Sequence, residues 1–507
     1  MRKPTASSRG GRAEVGDPRD ALFENPAAGD IRQRRARKAG KGAAVYLLTS
    51  AQNNTRVHPG LWRNLMAYAA HRGATVLVSQ FTYNKGAYRD GVKPGTRQAS
   101  DFDSLWYDPV IAPFVCNDRF AITPSLILCG EVNTLPTADR PLSGFANYTG
   151  RASSIFPHAK FAMESVSTPL KTPAKLMYTT GCCTLRNYLQ RKAGLKAEAL
   201  HGYGALIVEV MASGDWFVRQ LHATDDGAFQ DLDVIVAGGA VTAGNRVEAL
   251  QWGDVHVAQL DPVVRAAQWG AGGIIDVLAP RYQFMHDTLD FLSRNHHSMR
   301  DPHEMFRKWA AGKESVEAEL QAVAAFLTHE SSRPDTKTVV VNSNHDEALM
   351  RWLRDAELRA DPVNARFYLR AQRAVYDAIA GPRRHFHLLE YLLRQMGVPR
   401  GVKFLGPDDS FVLCKARGGI ECGLHGHTGP NGSRGSPRAL SRMGRPVNSG
   451  HTHVAGIVDE CYTAGTSSLL DMGYNRGAPS GWSHTLIVTY PNGRRALLTL
   501  WGGRWRG

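Results

Sequence analysis

The chain reads as an α/β protein of α+β type in two domains, and three stretches carry that reading. Val45 to Leu48, Pro59 to about Gly73 and Ala74 to Ser79 alternate strand, helix and strand, with Leu61, Leu65, Met66 and Ala69 on one side of the helix. Past Arg246, short apolar runs such as Val247 to Trp252 and Thr338 to Val341 end abruptly in polar residues, as strands do where they turn into loops that carry sites. Thr485 to Tyr490 and Arg494 to Trp501, joined through Pro491-Asn492-Gly493, form a closing β-hairpin.

In order, residues 1–43 are rich in Arg, Lys, Gly, Ala and Pro and end in a basic block from Arg32 to Lys41, a composition that buries too little apolar surface to fold alone. A solvated leader and an arm that holds phosphates are equally good accounts of it. Residues 44–245 form the first domain, with further strands expected at Ser125 to Cys129, Lys175 to Thr179, Ala205 to Met211, Trp216 to Leu221 and Asp233 to Ala237. Gly238 to Gly244 lacks the Lys-Ser/Thr of a phosphate loop and reads as a linker. The vicinal Cys182-Cys183 pair reads as core packing.

The second domain covers residues 246–507. Ile274 to Leu278 is expected as its next strand, and residues 296–333 as helical. A helical insertion over about residues 347–397, broken near Pro362 and Pro382, carries the arginines from Arg351 to Arg384 on what reads mainly as a solvated face.

The 507 residues include 61 Lys and Arg against 46 Asp and Glu, a formal net charge of +15 that favours polyanionic partners. Seven cysteines without CxxC spacing argue against a disulfide framework and a zinc–thiolate site. No run approaches the ~20 apolar residues that span a bilayer and no apolar signal core is present, so a cytoplasmic protein without a membrane partner is expected. A homo-oligomer is compatible with the length, without any residue that argues for it.

The chemistry concentrates in the second domain. Gly450-His451-Thr452-His453 sets two histidines one residue apart on a tight loop, a spacing that lets both imidazoles face one centre. Upstream come Asp254-Val255-His256, Asp287 with Asp290, Asn344-His345-Asp346, and His425-Gly426-His427. Carboxylate oxygen, amide oxygen and imidazole nitrogen without thiolate suit Mn²⁺, Mg²⁺, Fe or Zn²⁺. His296, His297, His303, His385 and His387 read as structural.

This ordered set, D-x-H, D-x-x-D, N-H-D, H and G-H-x-H over residues 246–470, resembles the calcineurin-like metallophosphoesterase superfamily. Within it the His-Gly-His-x-Gly-Pro-Asn-Gly-Ser-Arg-Gly run is most similar to the pre-early DNases of T-odd siphophages, and more distantly to SbcD-type nucleases. His286 and Ser343 depart from the family, which has Gly at both places. The resemblance implies a β-sandwich flanked by helices and two divalent ions, Mn²⁺ foremost. Asp254, His256, Asp287 and His453 would hold one ion, and Asp287, Asn344, His425 and His451 the other, with Asp287 as bridge. His345 would serve as the acid, its imidazole oriented by Asp346. His425 is preferred to His427 as ligand because it follows the apolar run and fits the family's His-Gly step. His427 would then face substrate phosphate or solvent, and Arg434 would grip a phosphate. The implied activity is hydrolysis of DNA phosphodiester bonds by a phage-encoded enzyme that degrades host DNA. The competing readings are a phosphatase or small-nucleotide phosphodiesterase, and a DNA-binding scaffold with an inert metal site.

Overall fold

A computed structural model describes residues 42–83, 106–295, 298–356, 360–381 and 386–506. The basic tail up to residue 41, His296, His297, His385, Arg359, Arg383 and Arg384 lie outside the described residues.

The architecture is mixed α/β, built on four sheets. In the first, strand Ala44–Gln52 pairs in parallel with Thr75–Phe81 and antiparallel with Gly204–Val210, which pairs with Trp216–His222. Helix Pro59–Arg72 crosses between the parallel strands. It buries Leu61, Leu65, Tyr68 and Ala69 against Leu47, Ala51 and Val78.

A six-stranded sheet carries the second half. Lys403–Phe404, Lys337–Val340, Tyr282–Met285 and Ala249–Gln251 run parallel, and the hairpin Thr485–Thr489/Arg495–Thr499 closes it antiparallel. Its side chains alternate between two cores, as the two-residue period of a strand demands. Leu250, Met285, Val340, Val488 and Leu498 face a helical layer that includes Val316–Glu330, Asn344–Asp355 and Leu388–Gln395. Ala249, Phe284, Val339, Ile487 and Leu497 face a ten-stranded sheet on the other side.

That larger sheet spans the boundary expected at residue 245. Strands from 119 to 179 join strands from 412 to 463 through pairing of Met163 with Ile457. Leu206 and Val208 of the first sheet share a core with Ile457, Tyr462 and Leu497. The two halves therefore share hydrogen bonds and apolar packing.

Two expectations are corrected. Ile274–Leu278 is a short helix, not a strand. Its apolar residues fall at 274, 275 and 278, one face of a helical turn, and all three are buried there, while the strand follows at Tyr282–Met285. The stretch taken for a linker is a hairpin, in which Val234–Ala237 pairs with Ala240–Thr242. Gly238 and Gly239 both take positive φ, 60° and 87°, as a two-residue turn of this kind requires. Among the described residues the insertion is three helices, Asn344–Asp355, Ala365–Ala380 and Leu388–Gln395, with Pro362 between the first two and the expected break at Pro382 outside the described residues.

Candidate metal centre

Five strand ends converge. Asp254 and His256 follow Ala249–Gln251, Asp287 and Asp290 follow Tyr282–Met285, and Asn344 opens the helix after Lys337–Val340. His425 follows Ile420–Glu421, and His451 and His453 follow Val447–Ser449. Parallel neighbours place these carboxyl-terminal ends on one side of the sheets, which gathers residues some 200 positions apart.

Local backbone is bent to bring the side chains in. His256, Asp287, His451 and His453 all take left-handed φ, between 46° and 73°. Such conformations are costly for residues with a Cβ and cluster where function holds them. Gly450 shows why the turn needs a glycine. A Cβ there would lie 2.3 Å from Asp254 Oδ1. Its N–H donates to the His425 carbonyl at 2.7 Å, and the next N–H, of His451, donates to Asp254 Oδ2 at 2.8 Å. The loop thus clamps Asp254 through backbone as well as side chains.

Asp254, His256, Asp287 and His453 are all buried and bring one donor atom each within 4.8 Å of one another. His453 Nε2 lies 3.2 Å from Asp254 Oδ2 and 3.0 Å from His256 Nε2, and His256 Nε2 lies 3.7 Å from Asp287 Oδ2. Beside this group, His425 Nε2 lies 3.2 Å from Asp287 Oδ2 and 3.1 Å from Asn344 Oδ1. The His451 ring is 5.2 Å from that of His425. Asp287 therefore stands between His256 and His425, while His451 joins no donor group among the described residues.

The donors fit a metal. Asp254 Oδ1, Asp287 Oδ1 and His453 Nδ1 are buried without a hydrogen-bond partner, a cost that coordination or solvent would have to relieve. Ligands about 2.0–2.2 Å from an ion stand roughly 3.0–3.5 Å from each other, the spacing of these contacts. Charge is arranged to match. Burial pushes the Asp254 and Asp287 carboxyls up, but His425, with His453 at Asp254 and His345 at Asp287, outweighs it and holds both below the usual range. Against burial, Asp290 and Asp287 raise His256 to about 9, and Asp287 and Asp254 raise His425 to about 8.

The structure separates the remaining expected residues. His345 stands at the rim, its side chain 20% exposed, with its ring 4.8 Å from that of His256. Its Nδ1 lies 2.9 Å from the Asp290 carbonyl and 3.6 Å from Asp290 Oδ1. Asp290, not Asp346, is the residue against this imidazole. Asp346 turns inward to accept the Leu289 N–H, and burial followed by the Asp287 charge raises its carboxyl to about 7. His427 stays outside the donor groups, with Nε2 3.7 Å from Glu347 Oε1. Arg434 is exposed on the loop that folds back at Thr428.

Two residues that the sequence motifs include were given no role there. Asp290 Oδ1 lies 3.3 Å from His256 Nδ1, and Oδ2 accepts from Gln259 at 2.8 Å. His286, fully buried, places Nδ1 3.3 Å from His425 Nδ1 and joins a donor group with Asp254 and His425. Its departure from the family's glycine was the available signal.

Among the described residues no helix is long and apolar enough to cross a membrane. No protein-family profile and no solved structure matches the chain. The chain is 43% identical over 475 residues to Protein A1 of Escherichia phage T5, a match that takes in 90% of this chain and 82% of that protein. On that similarity the chain belongs to the family of phage T5 Protein A1.

Proposed function

We propose that the chain is a divalent-metal-dependent phosphodiesterase that cuts DNA, phage-encoded like its relative. The observation that carries the reading is the shared position of Asp287, 3.7 Å from His256 on one side and 3.2 Å from His425 on the other. Asp254, His256, Asp287 and His453 would hold one ion, and Asp287, Asn344, His425 and His451 a second. Bound there, divalent ions, Mn²⁺ foremost for oxygen and imidazole donors, would supply a water of lowered pKa and charge neutralisation at the phosphate oxygens.

The chain's own residues supply the rest. His345 keeps Nδ1 within hydrogen-bond reach of the Asp290 carbonyl, so Nε2 of the protonated ring would be the atom that gives its proton to the leaving oxygen. His427 and Arg434, on the loop after His425, would meet a phosphate beyond the scissile one, a role that the exposure of Arg434 supports. Two sheets packed face to face with helices outside agree with a metallophosphoesterase-type sandwich. The net charge of +15 supports a polyanionic substrate.

The test is cleavage of linear and circular double-stranded DNA by metal-stripped protein, with and without Mn²⁺ or Mg²⁺, beside Asp287→Ala and His345→Ala. Metal-restored cleavage abolished by Asp287→Ala and slowed about 10²–10⁴-fold by His345→Ala supports the reading. Turnover of a small phosphate ester alone would shift it to a phosphatase. Salt-sensitive DNA binding without cleavage by any divalent ion would leave an inert scaffold.

A further inference from the structure

An aromatic wall rises from the metal centre. Trp482 packs edge-on against His453 with ring centroids 4.3 Å apart, and Tyr474 packs on Trp482 at 5.7 Å. Tyr474 keeps 61% of its surface exposed. Its phenol nevertheless lies within the field of the centre: partial burial, then the Asp290, Asp287 and Asp254 carboxylates, raise its pKa.

The loop that presents it is pinned by its own side chains. Met472 N–H donates to Asn475 Oδ1, the Asn475 amide donates to the Leu470 carbonyl, Gly473 N–H donates to Asp471, and Arg476 pairs with Asp471 at 2.8 Å. The Tyr474 hydroxyl reaches a weak acceptor, Met472 Sδ at 3.6 Å. A ring held in place, open on its outer side and with its hydroxyl poorly engaged offers a surface for stacking more than for hydrogen bonding.

We propose that Tyr474, seated on Trp482, stacks a nucleobase next to the scissile phosphate, so that the substrate strand is unpaired at the cut. This rests on the nuclease reading. In a duplex each base is covered by its neighbours, so a protein ring reaches a base face only on single-stranded or locally opened DNA. The alternative is that Tyr474 merely covers Trp482, and that role makes no distinction between a strand with bases and one without.

The experiment is binding, measured in chelator to prevent cleavage, of a labelled short oligothymidylate and of an abasic oligomer of equal length, to wild type, Tyr474→Ala and Tyr474→Phe. Wild type is expected to prefer the strand with bases. Tyr474→Ala should shrink that preference about tenfold, and Tyr474→Phe, which keeps the ring, should retain it within about twofold. A preference unchanged in Tyr474→Ala, or affinity for both oligomers reduced by one common factor, overturns the proposal, as does a Tyr474→Phe that behaves like Tyr474→Ala. Thermal melting of each variant separates a folding defect from loss of stacking. Wild-type cleavage with Mn²⁺ is scored apart, on duplex DNA and on the same oligothymidylate: failure on both sinks the nuclease reading whatever the base preference, and cleavage with no effect of Tyr474 sinks this inference alone.

Discussion

Replacing Gly450 with alanine tests the centre without removing any donor atom. The new Cβ would stand 2.3 Å from Asp254 Oδ1, so one of them must move by about 0.7 Å before the contact reaches even 3.0 Å. Asp254 has little room to retreat, being fully buried and held by the His451 N–H at 2.8 Å and His453 at 3.2 Å. Displacing either the carboxylate or the histidine turn misaligns ligands, and disturbance of groups that orient ligands typically costs about 10–100-fold in metal affinity. The consequence can be read as stability. Mn²⁺ at about 100 times its Kd stabilises the wild type by about 2.7 kcal/mol, and a variant that binds about 100-fold more weakly gains only about 0.4 kcal/mol at the same concentration. Melting with and without Mn²⁺ reads the difference, and calorimetric titration gives the affinities. A Gly450→Ala protein with the wild-type Mn²⁺ shift would refute the clamp around Asp254.

Other residues make separate predictions. Asp290→Ala should weaken Mn²⁺ binding through His256 by about 10–100-fold and slow cleavage further through His345, measured by titration and by rates at saturating metal. Arg219 is fully buried between Glu209 and Asp231, so Arg219→Met, which leaves Glu209 to Arg72 and Asp231 to the Tyr68 hydroxyl, should cost about 3–5 kcal/mol in denaturant unfolding. His158 and His201 are buried with both ring nitrogens engaged, and burial depresses them to about 4 and about 3. The folded state thus refuses protons that the unfolded chain takes up below about pH 6.5. Their contribution is complete above pH 6.5 and falls away as pH drops to about 4 and 3, by about 3 kcal/mol for His158 alone. Melting of metal-free protein across that range checks it, and His158→Gln should flatten the slope.

Much of the candidate centre was legible because each candidate ligand lies within a residue or two of a local mark, such as Gly450 before His451 or the β-branched run before Asn344. Apolar patterning likewise placed Pro59–Arg72 and Lys175–Thr179 to within about a residue, whereas the strand read at Val45 to Leu48 runs on to Gln52. What was hidden depended on partners distant in the chain. Nothing around Met163 announces Ile457 as its neighbour, so a sheet shared by both halves left no trace in either. Asp346 is next to His345 in sequence, yet the helix that Asn344 opens turns it inward, while Asp290 arrives from another strand end. Tyr474 lies in no motif and matters only because Trp482 carries it to His453. Ile274–Leu278 shows the limit of short apolar runs, which fit a strand and one helical turn equally until the fold chooses.

The most direct test of the account is anomalous diffraction from crystals grown with Mn²⁺. The account predicts two manganese peaks, both within bonding distance of Asp287, one shared with His256 and His453 and the other with His425. No peak among these residues, or a single ion that leaves Asp287 unbound, would contradict it.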